Sequence, residues 1–168
     1  MGVSDNELHR IVPTAIVYRD GKFLILKRSE DKKVYPGRWT VPGGGVEVTD
    51  YADTPKTSED GWYYQVEKSL RREIREETGL EASRLHYLLD MVFIRPDKVP
   101  VLVLSYYGEA APGEVTLDGD SSDFAWVTHE EAKEYDLLPG LLEEIEMVDR
   151  ILAGADPSTV KFPVPERV

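Results

Sequence analysis

From Trp62 to Thr78 the chain contains neither Pro nor Gly, and Val66, Leu70 and Ile74 recur every four residues. That spacing predicts an amphipathic helix with Gly79 as its C-terminal stop. What constrains the fold most is the company its apolar side keeps. At about 100° per residue, Glu77 falls about 40° to one side of Glu73 and Glu76 about 60° to the other. Three carboxylates therefore share an arc of about 100°. On the same wheel Val66, Leu70 and Ile74 lie at about 20°, 60° and 100°, so Glu77 sits inside the apolar stripe and Glu73 at its edge. Acids turned toward a core are neutralised by protons, by Arg or by metal. Acids at i, i+3 and i+4 suit a hard divalent cation with oxygen ligands, Mg²⁺ or Mn²⁺. Pairing with Arg72 and Arg75 on a solvated helix face is the other way to satisfy them.

The segments around this helix alternate in type. Val12–Tyr18 and Phe23–Lys27 read as strands joined by the turn Asp20-Gly21. Ser29–Arg38 is a charged loop, Trp39–Val41 a short strand, and Pro42 leads into Gly43-Gly44-Gly45. Val48–Gly61 is acidic and Thr-rich and reads as an excursion. Beyond Gly79, Leu85–Arg95 and Pro100–Glu109 read as strands separated by the turn Pro96-Asp97-Lys98, and Asp123–Thr128 as a further short strand. Thr128-His129-Glu130-Glu131 is a capping box that starts a short helix, and Leu141–Leu152 is a second amphipathic helix. The tail from Gly154, with Pro157, Pro163 and Pro165, reads as extended. Strands on both sides of a helix predict one α/β sandwich. With 41% hydrophobic residues in a chain of 168, this is expected as a single domain over 1–168. Its core spans about 12–152, with an insertion at about 48–61 and a tail at 154–168.

Charge and composition narrow the function. A formal charge of −12 argues against extended nucleic acid as a partner, but a bound cation can reverse the local field for a small phosphorylated ligand. The absence of cysteine removes disulfides, thiolate zinc sites and cysteine nucleophiles. Met1–Arg10 is polar and fits neither a signal peptide nor a myristoylation site, and the longest apolar runs are far short of a membrane span. A cytoplasmic protein with no membrane partner is the expectation. His9, His86 and His129 lack zinc spacing, and no P-loop or G-x-S-x-G elbow is present.

The helix segment Arg71-Arg72-Glu73-Ile74-Arg75-Glu76-Glu77-Thr78-Gly79-Leu80, taken with Pro42-Gly43-Gly44-Gly45-Val46-Glu47 upstream, resembles the Nudix hydrolase family. That family's box reads G-x5-E-x7-R-E-U-x-E-E-x-G-U, with U a bulky aliphatic residue. Its second half is matched at every fixed position by Arg72, Glu73, Ile74, Glu76, Glu77, Gly79 and Leu80. The first half departs from it. If Gly44 opens the box, the first acid falls on Asp50, and 14 extra residues separate it from Arg72.

The resemblance implies an α/β/α sandwich with a mixed sheet between helices. It also implies a Mg²⁺-dependent (or Mn²⁺-dependent) enzyme that cleaves the pyrophosphate of a nucleoside diphosphate linked to another moiety. By the same resemblance Glu73, Glu76 and Glu77 are metal ligands, a Gly43 carbonyl joins them, and Arg72 orients the carboxylates. Asp120, in the loop before the late strand, takes the place of a further catalytic acid, and Arg28 faces the substrate phosphates. Trp39, Tyr18 and Phe93 either stack on a base or fill the core. A nucleoside triphosphate or modified nucleotide is the expected substrate. ADP-ribose is the alternative, for which Pro96 is the pointer. A nucleotide-sensing module without catalysis is the rival of a different class. Homodimerisation is common in the family and is expected here.

Overall fold

The computed structural model describes residues 4–164. Part of the N-terminal segment, Met1–Val3, and the end of the tail from Pro165 lie outside these residues. The elements are β1 (Arg10–Arg19), β2 (Lys22–Arg28), β3 (Trp39–Thr40), α1 (Gln65–Thr78), β4 (His86–Ile94), β5 (Pro100–Glu109), β6 (Ser121–Val127), α2 (His129–Ala132) and α3 (Leu141–Leu152). The sheet runs β3-β2-β1-β5-β4, with β6 on the other side of β2. It is mixed: β1 and β5 run parallel from Arg10↔Val101 to Tyr18↔Glu109, and the other pairs are antiparallel.

Both sheet faces are covered, as the alternation of the strands requires. Ile16, Phe23 and Ile25 point to a core closed by Leu141, Ile145 and Val148 of α3. Ala15, Val17, Leu24 and Leu26 point the other way, onto Leu70 and Ile74 of α1 and Leu80 beyond it. This is the expected helix–sheet–helix sandwich.

The sheet splits where the site forms. β1 and β2 pair only next to their turn, at Tyr18↔Phe23 and Arg19↔Lys22. In the space that β2 vacates, the glycine segment lies along β1. Ala15 N–H donates to Pro42 O at 2.9 Å, Gly44 N–H to Pro13 O at 3.2 Å, and Val46 N–H to Ile11 O at 3.0 Å. A Cβ on Gly43, whose φ is +153°, would collide with the β1 backbone at Pro13 and Thr14. Only glycine brings the loop this close.

Three boundaries differ from expectation. The helix begins at Gln65, not Trp62, because Tyr64 has φ 61° in the left-handed region and interrupts the helical path. Trp62 is engaged in the excursion instead: its ring lies 5.1 Å from that of Tyr51, and its indole N–H donates to Thr54 O at 3.1 Å. The excursion is correspondingly structured, opening with a 3₁₀ turn at Val48–Asp50. The tail is not uniformly extended, since a turn around Asp156–Thr159 comes first and Val160 is buried. Elsewhere the shifts are one or two residues, and the capping box of α2 is formed as expected, with Thr128 accepting from Glu131 N–H. Pro96 occupies the exposed β4–β5 turn, where Lys98 N–H donates to Arg95 O at 2.9 Å. No helix among the described residues is long and apolar enough to cross a membrane.

Candidate active site

The four box residues of α1 divide into two groups. Arg72 gathers acids from three places. Its Nε lies 2.9 Å from Asp50 Oδ1, one Nη lies 2.9 Å from Glu73 Oε1, and the other donates to Glu76 Oε2 at 2.8 Å. Burial works against its charge, but the bonds it donates to Asp50 and Glu76 and the field of Glu73 outweigh it, so its pKa is raised. Asp50 itself has a side chain only 7% exposed. Glu47 N–H donates to it at 3.0 Å and Ser69 Oγ at 2.7 Å. Desolvation alone would raise the Asp50 pKa, yet these donors and Arg72 hold it below the ordinary range. Asp50, the acid on which the first half of the box falls if Gly44 opens it, thus braces Arg72 from across the insertion.

Glu77 is held differently. Its Oε2 accepts the Gly43 N–H at 2.9 Å. Loss of hydration pushes its pKa up to about 8, opposed by that bond and reinforced by the charges of Glu73, Asp118 and Asp120. The Glu73 pKa is also raised, mainly by burial, against the pull of Arg72. A Cβ on Gly44 would strike the Glu73 carboxylate, so the glycine loop lies directly on the acids.

Glu73 and Glu77 face a cavity of about 560 Å³, together with Gly43, Arg28, Lys32 and Asp120. Arg28 is anchored by Val34 O at 2.8 Å and Tyr35 O at 3.1 Å. Burial lowers its pKa, against the opposing charges of Glu77 and Asp120. Asp120 forms an ion pair with Lys32. The structure therefore brings together Glu73, Glu77, Gly43, Arg28 and Asp120. It does not bring Glu76 or Trp39 to the cavity. Glu76 is 56% exposed and turned onto Arg72. Trp39 packs edge-on against Tyr135 with ring centroids 4.8 Å apart, on the α3 side of the core, where Tyr18 also packs. Of the aromatic residues considered for stacking, Phe93 lines the cavity.

Among the described residues no three acidic or His side chains stand together as a ready ion cage. The donor chemistry nonetheless fits a hard cation, because the recessed Glu77 carboxylate, which feels the charges of Glu73, Asp118 and Asp120, is the kind of group a divalent ion discharges. Glu47 also borders the cavity although sequence reasoning gave it no role. A second omission is Glu144 of α3, which is 3% exposed and lines the opposite wall. The signal is present in the sequence: Leu141, Ile145, Met147, Val148 and Ile151 set a broad apolar arc, and Glu144 falls within it as Glu77 does on α1.

A mixed sheet between helices, with an Arg-braced acid cluster under a glycine loop, defines a Nudix-type α/β/α sandwich. The chain matches the NUDIX domain over residues 8–149 and belongs to that family, whose members generally need a divalent metal. It is 30% identical over 139 residues to the nucleoside triphosphatase NudI of Klebsiella pneumoniae (strain 342), which covers 76% of this chain and 88% of that one. NudI of Escherichia coli (strain K12) matches with the same identity and coverage. The crystal structure of the MutT protein from Methanosarcina mazei Go1 superposes with a TM-score of 0.67 at 24% identity, over 86% of this chain and 95% of that one. At that identity the likeness is one of fold.

Proposed function

We propose that the chain is a pyrophosphohydrolase of nucleoside triphosphates or modified nucleotides, dependent on Mg²⁺ or Mn²⁺, and that it works in the cytoplasm as a single domain and as a homodimer. The observation that carries this is the pair Glu73 and Glu77 facing, with Arg28 and Lys32, a cavity that continues into an apolar wall of Val12, Val103 and Phe93. Acids and bases at one end suit phosphates with their counterions, and the apolar wall suits the flat moiety they carry. The named activity of the 30%-identical relatives agrees with the triphosphate choice.

Glu73 and Glu77 would hold the ion, with Glu76 joining by a rotation away from Arg72 and Gly43 through its carbonyl. When bound, such an ion neutralises phosphate charge and makes water more acidic. Arg72 keeps the carboxylates in place through charge-assisted bonds. Arg28 and Lys32 orient the phosphate chain. A carboxylate of the cluster, or Asp120, takes the proton of the attacking water. The water oxygen forms the new P–O bond while the bond to the bridging oxygen breaks and the departing phosphate or pyrophosphate carries the electron pair away.

The test is nucleotide and phosphate release from a panel of nucleoside triphosphates, ADP-ribose, dinucleoside polyphosphates and nucleotide sugars, with each metal, beside the variant Glu73→Gln. Metal-dependent turnover of triphosphates, lost in the variant, is expected. Turnover confined to ADP-ribose would move the substrate class, and binding without turnover would make the chain a sensing module.

A further inference from the structure

Glu144 has no part in the chemistry described above, yet it is the most deeply buried acid of the cavity wall. Its Oε2 finds no hydrogen-bond partner among the described residues. Its other interactions are few: the nearby Ser105 hydroxyl eases the charge of the carboxyl against its burial, and Ser105 Oγ in turn lies 3.1 Å from Thr14 Oγ1. Leu141, Val12 and Val103 are the apolar neighbours along the same wall. Among the described residues no basic side chain forms an ion pair with it. A folded chain rarely strands a buried carboxyl oxygen at the edge of a cavity unless something entering that cavity completes it.

The position of Glu144 relative to the acid cluster says what that something is. Thr14 stands opposite Ser105 on β5 and is bridged on its other side to Gly43, whose N–H holds Glu77. Glu144 and Glu77 are thus separated by the width of β1 and its two neighbours, across one continuous floor. A nucleotide with its phosphates at Glu73, Glu77 and Arg28 would have room to extend its base along this cavity toward α3.

We infer that Glu144 reads the nucleobase: its free Oε2 accepts a hydrogen bond from a ring N–H or exocyclic amine of the base, with Ser105 and Thr14 fixing the carboxyl. The inference rests on the nucleotide pyrophosphohydrolase reading of the same cavity and makes Glu144 a specificity-determining residue of it. Once ionised, a carboxylate in an apolar wall selects for N–H donors, because a carbonyl edge placed there would leave two acceptors facing each other.

The experiment compares wild type with Glu144→Leu and the isosteric Glu144→Gln on nucleoside triphosphates and on methyl triphosphate, which has the phosphates but no base. In Glu144→Leu a loss of roughly 10- to 100-fold in kcat/KM, carried by KM, is expected for the preferred nucleotide, with methyl triphosphate unchanged. Glu144→Gln keeps an acceptor oxygen and is expected to lose less. An equal loss on both substrates, or no loss on either, overturns the inference. A second measurement does not depend on turnover: calorimetric titration of the corresponding nucleoside monophosphate without metal. Wild-type binding weakened about tenfold or more in Glu144→Leu, and less in Glu144→Gln, supports the role. Equal affinities, or no binding to wild type, overturn it. Failure of the triphosphate assay in wild type alone strikes the functional reading, while the monophosphate titration still decides the role of Glu144.

Discussion

Glu77 and Glu144 are two acids placed by the same rule and treated in opposite ways. Each sits within the apolar stripe of its helix, and both reach one cavity from different walls. Desolvation raises both, Glu77 to about 8 and Glu144 to about 7. Glu77 lies in the field of further acids, Glu73, Asp118 and Asp120, and accepts one backbone donor. Around Glu144 there are a hydroxyl, aliphatic side chains and the more distant charge of Glu143. A crowd of acids is a demand for positive charge. A solitary acid in an apolar wall is a demand for one hydrogen-bond donor. Burial alone therefore does not distinguish a metal ligand from a recognition group; the neighbours do.

The comparison breaks most readily at the chemical step. Glu77→Gln is expected to lower kcat by about 10³-fold in steady-state hydrolysis, whereas Glu144→Gln leaves turnover of a base-free triphosphate intact. Equal kcat losses in the two would erase the distinction. Next in size is the brace that α1 has and α3 lacks. Arg72→Ala leaves the 7%-exposed Asp50 side chain without its only ion-pair partner among the described residues, and a stability loss of about 3 kcal/mol is expected from urea unfolding. Most of it should return in the double variant with Asp50→Asn, as a double-mutant cycle would report.

Glu144 sharpens the contrast through pH. Its carboxyl keeps a proton in the folded state up to about pH 7 that the unfolded chain releases near 4.5. Stability is therefore undiminished below that lower value and falls as pH rises through the window. Glu144→Gln is expected to be more stable than wild type at pH 8 by about 3 kcal/mol, with the difference vanishing at pH 4. Thermal unfolding at both pH values measures it, and Glu77 contributes a slope of the same sign in both proteins. The smallest effect belongs to Ser105→Ala. Removing its hydroxyl costs about 1 kcal/mol, more at pH 8 than at pH 5, because that bond favours the ionised carboxyl.

Much of α1 was legible because helical periodicity is local. Leu70 and Ile74 had to face the sheet, and Glu73 and Glu77 were carried with them toward the cavity. Where Glu76 points was not legible, since Arg72 competes for it and side-chain pairing is decided in three dimensions. The strands followed from β-branched runs and the Asp20-Gly21 turn, but the parting of β1 from β2, which admits the glycine loop, has no local signature. In sequence Trp39 can stack on a base or, as strand aromatics more often do, fill the core, and its packing against Tyr135 from a distant part of the chain decides for the core. The start of α1 was misplaced because a tyrosine in a left-handed conformation at position 64 is uncommon and invisible to periodicity. Glu144 could have been found by the same wheel that found Glu77.

The bond between Asp50 and Arg72 has a consequence for the residues between them. The excursion leaves and rejoins the body at a clasp, with Asp50 on one side and Ser69 and Arg72 on the other. A chain closed on itself in this way is insensitive to its own length, since doubling such a loop costs only about 0.6 kcal/mol in closure entropy. The span from Tyr51 to Gly61 is thus a handle outside the working parts. A tag or a recognition peptide spliced near Glu59 and Asp60 would enlarge the loop while the clasp keeps the two halves of the box in register.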